Sequence, residues 1–150
     1  MKIIFDKSTF KPGEVITGSG VGKLIISKLG TKLSESNVNG IFTLPAMNSG
    51  SYAIELIAED QSYWSALEVI ENPWQRIRYG FLSEFADDID TAKQVEWAKR
   101  LHLTSIQFYD WAYKHEYLVA PGESYTDPLG GAISKNKLKE LIVGYEAAGI

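Results

Sequence analysis

The sequence predicts a mainly β amino-terminal half, folded as a small immunoglobulin-like sandwich, followed by a βαβα unit with parallel strands. Short apolar runs separated by turn motifs fill residues 1–72, which is typical of an antiparallel sandwich. From residue 73 onward, strand-like segments alternate with amphipathic helical segments, which favours parallel strands covered by helices. We therefore expect two domains, at residues 1–72 and 73–150.

The strands of the first half are predicted from turns and alternation. The turn motifs are KPG, SGVG and NSG, at Lys11–Gly13, Ser19–Gly22 and Asn48–Gly50. Between and around them lie the apolar runs KIIF, EVIT, KLIISKL, GIFTLP, SYAIELIAE and WSALEVIE. In SYAIELI, the side chains of Tyr52, Ile54 and Leu56 share one face, as in a half-buried strand. Pro73 then interrupts the strand pattern and ends the half.

The first strand–helix unit of the second half begins with RYGFLSEF, a strand candidate over Arg78–Phe85. A helix follows, and either Asp88 or Asp90 can cap its amino terminus. Its apolar residues recur at three-residue spacing and form one face: Ala92, Val95, Ala98 and Leu101.

The second unit consists of the strand SIQFYDW over Ser105–Trp111, a long loop and a final helix. Ser134 can cap this helix, and Gly149 ends it. Its predicted buried stripe consists of Leu138, Leu141, Ile142 and Tyr145. The order strand, helix, strand, loop, helix brings both strand ends to one edge of a parallel sheet.

Composition excludes several classes of function. The 150 residues carry a net charge of -4, so no basic surface for nucleic acid is expected. No run approaches the roughly 18 apolar residues of a membrane helix, so no membrane partner is expected. The chain has no cysteine and two distant histidines, which predicts no metal site and no cofactor. The location is cytoplasmic if Met1 is the native start, and extracellular if a signal peptide was removed.

The stretch SIQFYDWAYKHEYL crowds aromatic and ionisable groups at the end of a predicted strand. In parallel α/β folds, binding sites form at the carboxyl ends of strands. Aromatic faces can stack on sugar rings, and a carboxylate can accept hydrogen bonds from hydroxyl groups. The candidate substrate-binding residues are Tyr109, Asp110, Trp111, Lys114 and His115, with Glu84 a further candidate near the end of the previous strand.

Each candidate also has a purely structural interpretation. Asp110 could cap a loop, Trp111 could fill the core, and His115 could cap a helix. Tyr109 points away from Asp110 if the strand continues, which favours a structural role. The β-rich half could likewise bind carbohydrate or serve only in packing, and no cluster of aromatics stands out in it.

Three segments together resemble glycoside hydrolase family 66, which contains dextranases and cycloisomaltooligosaccharide glucanotransferases. They are RYGFLSEF, IQFYDWAYKHEYL and YTDPLGGAIS. The resemblance implies an immunoglobulin-like domain followed by the first two βα units of a (β/α)8 TIM barrel. The sequence departs from the family pattern at Ala112, where we expect a larger residue, and at Gly131, where a basic residue is common.

The resemblance also implies a retaining hydrolase or transglycosylase that acts on α-1,6-linked glucan. The family uses an aspartate nucleophile and a glutamate acid/base, whereas the aspartate of its FYDW motif, which matches Asp110, lies in the glucose site. Because a complete barrel takes about 250 residues, the nucleophile and acid/base are expected after residue 150. We therefore expect this truncated piece to be inactive alone and to self-associate. The alternatives are a complete chain that binds polysaccharide without cleaving it, or a structural module.

Overall fold

The computed structural model describes residues 3–150. Met1, on which the predicted location depends, and Lys2, the first residue of the KIIF run, lie outside the described residues. The strands of the first half are β1 (Ile4–Phe5), β2 (Ile16–Lys28), β3 (Thr31–Leu44), β4 (Gly50–Ala58) and β5 (Gln61–Val69). The second half comprises β6 (Tyr79–Leu82), α1 (Thr91–Arg100), β7 (Ser105–Phe108), β8 (Ser124–Thr126), β9 (Ala132–Ser134) and α2 (Lys135–Ala147).

The first five strands pair antiparallel, as predicted, but hydrogen bonds join them into one sheet. The immunoglobulin-like prediction has two facing sheets instead. On one edge, β2 pairs with β3 along its whole length. On the other edge, it pairs with β1 near its start and with β4 towards its end, and β4 pairs with β5. One long strand thus carries partners that a sandwich would divide between two sheets.

The length of β2 arises at SGVG, where the predicted turn is wrong. Ser19–Gly22 lies inside the strand, and the runs EVIT and KLIISKL belong largely to one continuous element. Gly22 has φ +143°, a conformation that side-chain-bearing residues avoid. An added Cβ there would lie 2.4 Å from the carbonyl oxygen of Ile57. The glycine therefore permits a close approach to β4 and does not reverse the chain.

The sheet curls around its own apolar face and encloses the first core. As predicted, Tyr52, Ile54 and Leu56 of β4 point together into this core. The other large buried side chains of the cluster are Ile3, Phe5, Phe10, Ile16, Leu24, Ile26, Phe42, Leu44, Leu67 and Val69. Burial of apolar surface on this scale is the main stabilising contribution to such a sheet.

The second half has the predicted βαβα order at its centre. β6 and β7 pair in parallel, in a register from Tyr79↔Ser105 to Leu82↔Phe108. The Asp90 side chain caps α1, as one of the two predicted alternatives, and Ser134 caps α2 as predicted. Both carboxylate and hydroxyl accept a hydrogen bond from a backbone N–H of the first helical turn.

The two predicted helix stripes are only partly buried. The buried residues of the second core are Leu82, Phe85, Ala98, Ile133, Leu141 and Tyr145. Val95 packs against this core, but Leu101 is 60% exposed. Leu141 and Tyr145 are buried, whereas Ile142 is 45% exposed. The helices cover one face of a sheet of only two strands. Leu101, at the margin of the α1 stripe, lines an open cleft together with residues 62–66 of β5.

The predicted long loop between β7 and the last helix contains a hairpin. β8 and β9 pair antiparallel, from Ser124↔Ser134 to Thr126↔Ala132. Phe85 bridges to Ile133 of β9 and is fully buried beneath it. The hairpin is therefore attached to the chain that leaves β6, beside the carboxyl ends of the parallel strands.

Candidate functional site

The site begins where β7 ends. The backbone N–H of Tyr109 still donates to the carbonyl of Leu82, at 2.8 Å, and the chain turns at Asp110. The predicted strand reached Trp111, three residues further than the observed end at Phe108. The φ angle of Asp110 is +54°, in the left-handed region that few residues other than glycine adopt. Such strain accumulates at functional sites, where the surrounding structure enforces it.

An open cleft of about 370 Å³ lies at this turn. Its lining residues are Phe108, Tyr109, Asp110, Trp111, Ala112, His115, Pro128 and Leu129. Four of the five predicted binding residues therefore share one concave surface. The volume lies within the range of small-molecule sites, and the lining combines aromatic faces with a few polar groups.

Two candidates lie elsewhere. Lys114 is not among the described residues that line the cleft, and its ammonium group sits over the ring of Tyr113, 5.0 Å from the ring centroid. Glu84 is exposed, lies beyond the end of β6 and is also outside the lining. A carboxylate pair between Glu84 and Asp110 is therefore not what forms this cleft.

The position of Trp111 is compatible with both of its alternative interpretations. The side chain is half-buried and packs against the second core, and it also lines the cleft. Its backbone carbonyl accepts a hydrogen bond from the hydroxyl of Tyr125 in β8. Burial, followed by the charge of Asp127, raises the pKa of Tyr125, which favours the protonated donor form. The hairpin thus holds the aromatic wall of the cleft in place.

The loop between β8 and β9 supplies a further wall of the cleft. Pro128 and Leu129 line the cleft, and the buried carboxylate of Asp127 accepts hydrogen bonds from the N–H groups of Leu129 and Gly131. None of these residues is among the candidates predicted from the sequence, although the segment belongs to the motif YTDPLGGAIS. The Asp-Pro pair, a common turn initiator, is the signal that could have located the loop.

A row of aromatic side chains lies on the sheet face that the helices leave uncovered. The rings of Tyr79 and Phe81 are 5.2 Å apart, and those of Phe81 and Tyr109 are 6.0 Å apart. Tyr109 belongs to both this row and the cleft. The uncovered face of the β6–β7 sheet therefore leads directly into the candidate site.

Among residues 3–150, no group of three or more His, Asp or Glu side chains is arranged to hold a metal ion. None of the helices described is long and apolar enough to cross a membrane.

One family model matches the part of the chain that carries the cleft. The model of glycosyl hydrolase family 66 matches residues 5–150, which is almost the whole chain. The chain belongs to this family. The strand end that carries Asp110 and the hairpin that carries Asp127 both lie within the matched range. No curated protein sequence matches this family 66 chain.

A solved structure supports the fold. A cycloisomaltooligosaccharide glucanotransferase from Paenibacillus sp., crystallised with cycloisomaltoheptaose, superposes with a TM-score of 0.80 at 22% sequence identity. The match covers 99% of this family 66 chain and 26% of the glucanotransferase chain. At that identity the likeness shows a shared fold, and this chain spans about a quarter of the length of that enzyme.

Proposed function

We propose that the protein is the amino-terminal part of a retaining glycoside hydrolase or transglycosylase that acts on α-1,6-linked glucan, with a glucosyl unit bound at Asp110. The observation that carries the proposal is the cleft at the carboxyl end of β7, where Tyr109, Asp110, Trp111 and His115 meet. Membership of glycosyl hydrolase family 66 supports the class of reaction.

The chemistry of the cleft suits an uncharged sugar. The carboxylate of Asp110 can accept hydrogen bonds from two hydroxyl groups, and the ring of His115 can donate one. The flat faces of Tyr109 and Trp111 offer apolar surface to the C–H groups of a pyranose. Hydrogen bonds to a sugar hydroxyl strengthen as positive charge develops on the ring, so Asp110 contributes to substrate binding and supports the transition state.

In this proposal, neither the nucleophile nor the acid/base is among residues 1–150. Residues 73–150 form the beginning of a (β/α)8 barrel in the same proposal, since β6 and β7 are parallel and their helices cover one face. In this proposal, residues 1–72 form a separate domain built on one curled antiparallel sheet, and the two distinct apolar clusters support that division. In barrels of this kind, substrates bind at the carboxyl ends of the strands, where Asp110 lies.

The test uses the complete natural protein and α-1,6-linked glucan. We expect release or transfer of glucosyl units, and a loss of kcat/KM of about 100-fold or more in Asp110→Asn, because a charged acceptor to the sugar is removed. Asp60→Asn is the matched control. Asp60 is also left-handed, with φ +62°, but it is exposed and lies in the turn between β4 and β5.

Two results would contradict the proposal. Absence of both turnover and binding on α-1,6-glucan removes the substrate assignment. Equal kinetics in Asp110→Asn and Asp60→Asn removes Asp110 from the site. Binding of the glucan without any turnover, abolished by Trp111→Ala but not by Trp74→Ala, favours a non-catalytic polysaccharide-binding module instead.

A further inference from the structure

We propose that Asp127 is a positioning residue that holds Leu129 against the glucosyl unit bound at Asp110, so that Leu129 is a substrate contact of the cleft. The inference rests on the proposed function, because it needs a sugar at Asp110. It adds a second wall to the site, formed by the loop between β8 and β9, which follows Asp110 in the chain.

A single carboxylate oxygen of Asp127 holds the loop between β8 and β9 through two hydrogen bonds. Oδ1 of Asp127 accepts hydrogen bonds from the backbone N–H groups of Leu129 and Gly131, both at 2.8 Å. The backbone of Asp127 also donates to the carbonyl of Gly131, at 2.9 Å, and accepts from Gly130, at 3.1 Å. The side chain is 8% exposed, so these hydrogen bonds are shielded from competing water. The loop is therefore held in one shape.

The space beside the carboxylate is filled. A Cβ added at Gly131 would lie 2.7 Å from Oδ2 of Asp127. Because Oδ1 is fixed by two N–H donors, Oδ2 cannot move aside without breaking them. The absence of a side chain at Gly131 thus leaves room for the carboxylate that braces the loop.

The loop that Asp127 holds carries an exposed apolar side chain. Leu129 is 79% exposed, yet its backbone is fixed by a buried charge and its side chain lines the same cleft as Asp110 and Trp111. Single exposed leucines are common at protein surfaces, but this leucine has its backbone fixed by a buried carboxylate at the cleft. A pyranose has apolar C–H faces as well as hydroxyl groups, so Leu129 offers a bound sugar an apolar surface in addition to that of Trp111.

The test measures KM and kcat of the complete natural protein on α-1,6-linked glucan oligosaccharides. We expect Leu129→Ala to raise KM about 3- to 10-fold with kcat nearly unchanged, since uniform binding to an apolar surface is lost. Asp127→Ala should raise KM by a similar factor or more. Asp127→Asn should stay near wild type, because its amide oxygen can accept both N–H groups. Leu29→Ala, in an exposed turn, is the control.

The double variant Asp127→Ala/Leu129→Ala distinguishes positioning from general stability. If Asp127 acts through Leu129, KM of the double variant equals that of Asp127→Ala, whereas independent effects multiply. An unchanged KM in Leu129→Ala, or multiplying effects, overturns the inference while the loss of activity in Asp110→Asn still supports the proposed function. A wild-type protein inert towards α-1,6-glucan overturns both.

Discussion

Asp110 combines the side chain that we propose binds glucose with a left-handed backbone. Its left-handed conformation costs a non-glycine residue about 1 kcal/mol or more, and glycine would adopt it freely. We therefore predict that Asp110→Gly keeps or raises the melting temperature while it abolishes α-1,6-glucan binding. Thermal unfolding and calorimetric titration check the two effects. A variant that loses stability and keeps binding would mean that Asp110 serves as a loop cap, its structural alternative.

The hydrogen bonds of Glu14 predict that the stability of the protein falls slightly at acid pH. Its carboxylate accepts a hydrogen bond from the backbone N–H of Lys11, at 2.9 Å, and contacts the ammonium group of Lys7. First the backbone hydrogen bond and then the contact with Lys7 hold the pKa of Glu14 below its usual value of 4.5. A lowered folded-state pKa stabilises the fold above pH 4.5 and ceases to do so as the pH falls through the folded-state value.

The corresponding measurement is the melting temperature of wild type and Glu14→Gln between pH 7 and pH 3. We expect the wild type to be more stable near neutral pH, and the difference to shrink below about pH 4.5 as the carboxylate is protonated. Glu71→Gln, at an exposed glutamate, serves as the control. A difference that is constant over the whole range would exclude the ionised carboxylate as its origin.

At the scale of single elements, β2 depends on the glycine at its centre. We predict that Gly22→Ala destabilises the protein by roughly 2 kcal/mol or more, because the added Cβ meets the backbone of β4 and the φ angle is unfavourable. Gly13→Ala is the matched comparison. Gly13 has φ +84° with nothing within 4 Å of an added Cβ, so only the conformational cost of about 1 kcal/mol applies.

Urea unfolding of the two variants provides the measurement, since Gly13→Ala carries backbone strain alone and Gly22→Ala adds the contact with β4. Equal free energies of unfolding would show that β4 yields to the extra methyl group. A larger loss in Gly22→Ala would confirm that the close pairing of β2 and β4 holds the curled sheet together.

At the scale of the whole molecule, the uncovered face of the β6–β7 sheet predicts self-association of the 150-residue chain. Tyr79, Phe81 and Tyr109 are 56%, 61% and 50% exposed on one surface. Contiguous apolar patches of this kind promote association. Light scattering should show a mass that rises with concentration, and Phe81→Ser should lower it. Trp74→Ser, an exposed aromatic outside the row, should not. A monomer at all concentrations would contradict the prediction.

The position of the cleft at the end of β7 was predictable because it depends on local patterns. Alternation predicted the buried face of β4, the capping residues Asp90 and Ser134 located both helices, and polar residues after a strand marked the turn at Asp110. Each of these signals extends over a few residues, and the side-chain period or a capping hydrogen bond produces it. The proposed class of substrate came from the family motif, since no local pattern contains it.

Other features depend on contacts between distant segments. Whether SGVG turns or continues was decided by the pairing of β2 with β3 and β4, which gave one curled sheet where two were expected. The second wall of the cleft comes from Leu129, which the buried carboxylate of Asp127 holds beside Asp110. By itself, the sequence determined the order of the elements in the second half and the residues that cap its two helices. Only the tertiary structure decided which segments face each other, because strand pairing and long-range hydrogen bonds join residues that are far apart in the chain.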